Sequence, residues 1–282
     1  MIEIKNISKT YPGQKVPALK DINLTIETGE FFGLLGPNGA GKTTMIKLLA
    51  TLLKPDSGEI YIDGDLLLRS NRNVKRKLSM VTQEFSLRSN MTPEQIMELQ
   101  GRLYQIPKAK IKERTKELLS FCDLYEHRKK VCRQLSGGMK RKLMLCRGLL
   151  TEPEILILDE PTVGLDPFAR RQMWDLLKQL NDKGMTILLT THYIDEAQYL
   201  CKRIALIDQG RTDRVESPSL LIKELGSTAV DEFDGNHTKS RFFAVREEAL
   251  KYAASLENEF VIRSTTLEDV FVALIGKKLE AK

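Results

Sequence analysis

Apolar and polar residues alternate at Ile2 and Ile4 and again at Ile22, Leu24 and Ile26, and a shorter alternation, Ile60-Tyr61-Ile62, lies between Gly58 and Gly64. A period of two puts every second side chain on one face, so these stretches predict strands and a β-rich layer in the first part of the chain. Phe31–Leu35 is continuously apolar, the pattern of a strand buried on both faces, and it runs into a glycine-rich turn; Lys42 to Leu53 then reads as a helix closed by Lys54 and Pro55. Leu78–Thr82 is strand-like, whereas Asn71–Lys77 before it is basic and polar. From there the pattern turns helical. Thr92-Pro93-Glu94-Gln95 supplies an N-cap, a proline at the first helical position and a glutamine to close the capping box, so a helix is expected to about Tyr104. Lys108–Phe121 and Gly137–Leu150 repeat the helical signal, which predicts a mainly α insertion over about 85–135.

After the insertion come strand Ile155–Leu158, helix Pro167–Asn181, strand Thr186–Thr190, helix Ile194–Leu200 and strand Arg203–Ile207, with Asp208-Gln209-Gly210 as a turn. Strands alternating with helices imply an α/β fold around a mostly parallel sheet covered on both faces. A helix over Pro218–Leu225 is expected to stop at Gly226, and the polar Ser227–Ser240 beyond it reads as a linker. The expected division is therefore a main domain of residues 1–226 and an appendage of 227–282. The appendage is read as small and α+β, from Arg241–Ala244, helical Glu247–Ser255, strand-like Phe260–Arg263 and amphipathic Leu267–Ile275.

Composition narrows the class. With 282 residues, 41% hydrophobic and 29% charged, the chain has ordinary globular usage, which excludes collagen-like and wholly disordered classes. A net charge of +6 mildly favours anionic partners. The basic clusters Arg69–Lys77, Arg128–Arg133 and Lys140–Lys142 have little aromatic interleaving, so they read as solvated faces and no nucleic-acid partner is expected. No apolar run approaches the roughly 20 residues of a membrane-spanning helix, and Met1-Ile2-Glu3-Ile4-Lys5 alternates like a strand instead of carrying a secretory layout. A cytoplasmic location follows as the expectation. Cys122, Cys132, Cys146 and Cys201 show no zinc-type spacing and are expected to be reduced thiols.

Three motifs carry the chemistry. Gly36, Pro37, Asn38, Gly39, Ala40, Gly41, Lys42 and Thr43, followed by Thr44, fit the phosphate-binding loop between a strand and a helix. Its glycines let backbone N–H groups curl around phosphate oxygens at a helix start, Lys42 reaches the β- and γ-phosphates, and Thr43 ligates Mg²⁺. Ile155-Leu156-Ile157-Leu158 ends in Asp159 and Glu160, at the carboxyl edge where parallel sheets bind ligands. Asp159 is placed to hold Mg²⁺ through water and Glu160 to deprotonate the attacking water. Leu135-Ser136-Gly137-Gly138-Met139-Lys140-Arg141 follows the insertion.

With that third motif the sequence resembles the nucleotide-binding subunits of ATP-binding-cassette (ABC) transporters, whose signature Leu135-Ser136-Gly137-Gly138 is similar to. The resemblance implies a P-loop NTPase cassette with a RecA-like parallel-sheet core, an antiparallel β layer and a helical insertion. It also implies ATP with Mg²⁺ and hydrolysis between two copies paired head to tail. Gln83 then looks like the Q-loop glutamine that touches metal and water. Asp166, in Val163-Gly164-Leu165-Asp166, is similar to the D-loop aspartate that communicates across the dimer. His192 resembles the switch histidine that contacts the γ-phosphate and positions Glu160. Tyr11 sits where the family stacks an aromatic on adenine, although a lone tyrosine also serves as a packing residue. Phe85 and Leu87 lie where a membrane subunit docks, unless they pack inside the insertion. Thr266-Leu267-Glu268-Asp269-Val270-Phe271, the Met-Lys-Arg after the signature, and Thr191-His192-Tyr193-Ile194-Asp195-Glu196-Ala197 resemble the ATPase subunits of ABC-2-type exporters. The implied partner is an ABC-2-type membrane permease on the inner face of the plasma membrane. An importer ATPase, or a soluble ABC ATPase acting on nucleic acid or ribosomes, is the alternative; the latter usually carries two cassettes or a long coiled coil, and neither is present.

Overall fold

The computed structural model describes residues 1–280. The chain opens with β1 (Ile2–Lys9), β2 (Leu19–Ile26) and β3 (Phe31–Leu35), then α1 (Lys42–Leu49), β4 (Ser57–Ile62), β5 (Asp65–Leu66), α2 (Arg72–Arg76) and β6 (Leu78–Val81). The helical stretch follows as α3 (Pro93–Leu103), α4 (Lys108–Phe121) and α5 (Gly137–Leu149), with single 3₁₀ turns at Tyr125–His127 and Cys132–Gln134. Next come β7 (Ile155–Asp159), α6 (Pro167–Asp182), β8 (Thr186–Thr191), α7 (Ile194–Leu200), β9 (Arg203–Asp208), β10 (Arg211–Glu216) and α8 (Pro218–Leu225). The tail holds β11 (Thr228–Phe233), β12 (Thr238–Phe243), α9 (Arg246–Ala253), β13 (Glu259–Ser264) and α10 (Leu267–Glu280).

Two compact units result: residues 1–192 with 205–214, and residues 193–204 with 215–282. In the first, an antiparallel sheet runs β2-β1-β4-β5. Its register aligns Ile2 with Ile26 and Ile62, and Ile4 with Leu24 and Ile60, so the alternation seen in sequence becomes one buried apolar layer across three strands. The main sheet has the order β10-β9-β3-β8-β7-β6, with β3, β8, β7 and β6 mutually parallel. Strands β3, β7 and β8 are buried at every residue, which explains why they read as unbroken apolar runs.

Helix α3 starts with the expected capping box, Thr92 accepting from Gln95 N and Gln95 from Thr92 N. Helix α1 is shorter than expected. It ends at Leu49 because Thr51 turns left-handed and the N–H groups of Leu52 and Leu53 both fold back to the carbonyl of Lys47. The linker expected over Ser227–Ser240 is a correction: β11 and β12 pair antiparallel from Thr228↔Phe243 to Phe233↔Thr238 around a turn at 234–237. Their polarity hid them, since few of their positions are apolar; Val230 packs on Ala249 and Ala253 of α9. Strand β10, Arg211-Thr212-Asp213-Arg214-Val215-Glu216, was likewise not anticipated from so polar a stretch.

Candidate active site

The strand order does the assembling. Because β3, β8, β7 and β6 lie side by side and parallel, with Leu35 opposite Thr191, Thr190 opposite Asp159, and Leu158 opposite Val81, the residues that follow them emerge at one edge. Those residues are Gly36, His192, Glu160 and, one further on, Gln83. Four segments distant in sequence thus meet at the carboxyl ends of adjacent strands, where an α/β sheet binds its ligand.

The loop from Gly36 to Gly41 wraps the start of α1. A Cβ on Gly36 would stand 2.2 Å from the carbonyl oxygen of Ile207, and one on Gly41, at φ 115°, would stand 2.6 Å from that of Ala18. Only glycine lets the loop lie this close to its neighbours. Pro37, Asn38 and Gly39 are exposed at the tip, while Ala40 is buried and its carbonyl accepts from Gly210 N at 3.0 Å. Helix α1 has neither a side-chain cap nor an acid in its first turn, so its N–H groups and dipole are available to an anion. Lys42 is buried; its ammonium donates to the carbonyls of Gly36 at 2.6 Å and Pro37 at 3.1 Å, and its third N–H is left for a ligand. Burial pushes this ammonium below the usual lysine value, against the opposing pull of the Glu160 and Asp159 charges.

Asp159 and Glu160 are both buried at the end of β7. The hydroxyl of Thr190, on the paired strand, donates to Asp159 Oδ1 at 2.6 Å. Glu160 occupies the left-handed region at φ 52°, uncommon outside glycine, and its N–H is fixed on the Thr190 carbonyl at 3.0 Å. Its Oε2 is in direct contact with His192 Nδ1. The carboxylate therefore points where a neighbouring imidazole can hold it.

A cleft of about 350 Å³ gathers Tyr11, Asn38, Gly39, Gly41, Lys42, Thr43, Thr44, Gln83, Glu160 and His192. The Tyr11 and Thr44 hydroxyls share a hydrogen bond at 3.3 Å, which fixes the ring at the mouth of the phosphate loop. Gln14 lines the same cleft and had no signal in the sequence beyond its closeness to Tyr11. A larger hollow, about 640 Å³ between the end of α1 and strands β4 and β5, collects leucines such as Leu48, Leu52 and Leu67 and none of the expected residues.

Ser136, Gly137, Gly138 and Asp166 do not line the cleft. Ser136 caps α5 by accepting from Met139 N at 3.2 Å, and Asp166 caps α6 by accepting from Ala169 N at 2.9 Å. A Cβ on Gly138 would lie 3.2 Å from that of Ala169, so the two helix starts are neighbours on a face of their own.

No group of three His, Cys, Asp or Glu residues able to hold a metal occurs among the described residues. Mg²⁺ bound with a nucleotide does not require one, because it keeps waters and phosphate oxygens and takes only one or two protein groups. The exposed Thr43 hydroxyl, the Gln83 amide and the Asp159 oxygen not engaged by Thr190 are all hard oxygen donors, and this donor set fits that ion.

Comparison with known proteins agrees with the geometry. The family profile described as ABC transporter matches residues 19–163. The chain is 38% identical over 230 residues to the linearmycin resistance ATP-binding protein LnrL of Bacillus subtilis (strain 168), covering 82% of this chain and 73% of that one. It is 36% identical to the Nod factor export ATP-binding protein I of Cupriavidus metallidurans, covering 99% and 98%. Among solved structures it superposes on the dimeric post-hydrolysis state of the ATP-binding cassette MJ0796 bound to ADP and Pi, with TM-score 0.69 and 31% identity, covering 77% of this chain and 98% of that one. It also matches cbiO1 from Clostridium perfringens, part of the ABC transporter complex cbiONQ, with TM-score 0.73 and 29% identity, covering 79% and 90%.

Proposed function

From the premise that this chain belongs to the ABC transporter family and is an ATP-hydrolysing subunit of it, we propose that it powers export through separate membrane subunits. The observation that carries the reading is the convergence of Lys42, Gln83, Glu160 and His192 on one cleft at the carboxyl ends of parallel strands. Support for export comes from the relatives, named for linearmycin resistance and Nod factor export.

In this reading the phosphates of ATP lie on the N–H groups of residues 38–44 and on Lys42. Tyr11 stacks on the base. Mg²⁺, held by Thr43, Gln83 and Asp159, neutralises phosphate charge when bound. Water attacks the γ-phosphorus as the bond to the bridging oxygen breaks, releasing ADP and phosphate, and the water's proton passes to Glu160. His192 keeps that carboxylate aimed. The main domain, residues 1–226, performs this chemistry and residues 227–282 serve as an appendage. Ser136, Gly137, Gly138 and Asp166 serve the nucleotide of a second copy. An ABC-2-type permease holds the pair at the inner face of the plasma membrane, with Phe85, 46% exposed, in the docking region. No helix among the described residues is long and apolar enough to cross a membrane.

Glu160→Gln tests the core of this. It is expected to keep ATP affinity, lose about 10²- to 10⁴-fold in turnover, and accumulate as an ATP-bound dimer on size exclusion. Near-normal hydrolysis by the folded variant would remove Glu160 as the base.

A further inference from the structure

Residues 82–86, which follow β6 and include Gln83, are strapped to helix α5 by two arginines. Arg141 is only 2% exposed, yet its guanidinium is directed at backbone. One terminal nitrogen donates to the carbonyl of Thr82 at 2.8 Å and the other to that of Gln83 at 2.8 Å. The same guanidinium carbon lies 4.9 Å from the centre of the Phe85 ring, and Nε has no partner. Further along α5, Arg147 donates to the Ser86 carbonyl at 2.7 Å and to the Ser86 hydroxyl at 2.6 Å. One helix thus grips Thr82, Gln83, Phe85 and Ser86.

A buried guanidinium is a costly core filler, and an apolar side chain of similar volume would often stabilise as well or better. Burial also lowers the proton affinity of Arg141, which the nearby charge of Asp159 opposes. What the guanidinium offers is a planar fork that binds two successive carbonyls while its face stacks on an aromatic ring, a geometry lysine cannot reproduce. Because the acceptors are carbonyls, the fork fixes the loop's backbone directly. Arg141 is five residues beyond Ser136, on the helix that Ser136 caps.

We propose that Arg141 is a positioning residue that makes the Gln83 loop move with α5, Arg147 being the second anchor. A shift of the helix start at Ser136 then carries Gln83 and Phe85 with it. The inference rests on the reading of Gln83 as part of the ATP site, and its test separates the two.

Arg141→Lys and Arg147→Lys, made in the full chain, are compared by backbone hydrogen exchange, melting temperature and steady-state ATPase, alone and combined with Gln83→Ala. Coupling of this kind is measured by non-additivity in such a cycle. Exchange over residues 82–87 is expected to rise about tenfold in Arg141→Lys, with residues 139–149 unchanged, as local opening without global unfolding permits. Its kcat is expected to fall about tenfold with KM within about twofold, and Arg141→Lys added to Gln83→Ala should cost nothing further. Additive losses, or faster exchange along α5 with a lowered melting temperature, would reduce Arg141 to core packing and overturn the proposal. Should Arg141→Lys not fold, Arg147→Lys must show the same loop-confined exchange, and its absence overturns the strap. If Gln83→Ala alone leaves hydrolysis intact, the role of Gln83 fails, while the exchange pattern still decides the strap.

Discussion

Thr190→Val isolates one bond that the candidate site depends on. Thr190 is fully buried, and its hydroxyl donates to Asp159 Oδ1 at 2.6 Å while lying 3.4 Å from the Leu158 carbonyl. Valine keeps the branched shape and removes the donor. A hydrogen bond to a charged group contributes about 1.5–3 kcal/mol, and the added buried methyl returns roughly 0.8 kcal/mol, so a net loss of about 1–2 kcal/mol is expected. For a unit of this size that corresponds to a melting temperature lowered by about 2–8 °C. Losing a group that orients a metal-side carboxylate typically costs about 10- to 100-fold in metal affinity or activity. At saturating ATP the Mg²⁺ concentration for half-maximal hydrolysis should therefore rise by about that factor, with Ca²⁺ unable to substitute. Scanning fluorimetry and a Mg²⁺-titrated phosphate-release assay read the two effects separately. A lowered melting temperature with an unchanged Mg²⁺ requirement would refute the placement of Asp159 on the metal, and no change in either would refute the bond itself.

Tyr11→Ala is expected to weaken ATP binding by about 1–3 kcal/mol, by analogy with base stacking on aromatics, with little change in maximal turnover; unaltered affinity by calorimetry would return Tyr11 to a packing role. In the tail, a hydrogen bond from Lys239 and the backbone N–H groups of His237 and Asn236 hold the Asp234 carboxyl down to about 2 from an ordinary 3.8. The folded form favours the carboxylate, so the turn is held above about pH 4 and released as pH falls toward 2; a carboxyl titration near 3.8 by NMR would contradict this.

The parts of the candidate site that were legible in sequence are those whose residues are contiguous. Gly36–Thr43 needs its spacing to curl one loop, and Asp159-Glu160 needs only to end a buried strand, so both show in a single window. Thr190 and Arg141 could not be found that way. Thr190 matters because the β7–β8 register puts it opposite Asp159, and Arg141 because the Gln83 loop falls beneath α5; neither pairing leaves a local pattern. The same distinction governs the fold. Buried strands announced themselves as apolar runs, whereas β11 and β12 mix a few buried positions with polar ones such as Asp231 and Ser240, which hydrogen-bond to each other, and Arg263 of the neighbouring β13 also binds Asp231. A window that averages these positions reads them as a linker.

The distribution of helix starts supports the proposed pairing with a second copy. Neither α1 nor α5 carries an acid in its first turn, so the positive end of each is left for an anion. Only the α1 start opens into the cleft of this chain. At the α5 start a Cβ on Gly137 would meet nothing within 4 Å, so that end faces open space beside the Asp166 cap. A two-fold pairing that brings the α5 start of one copy to the α1 start of the other completes two sites with one self-complementary contact. Each ATP then contacts both copies, and the free energy available for closing equals the difference in ATP affinity between the closed and open pairs. In the proposed pairing closure would move α5 directly, since its own N-terminus would meet the phosphates. Arg141 and Arg147 connect that movement to residues 82–86, which carry both Gln83 at the cleft and Phe85 at the surface. If the proposed membrane partner docks at Phe85, the path to it from the nucleotide is as short as one helix and one five-residue loop.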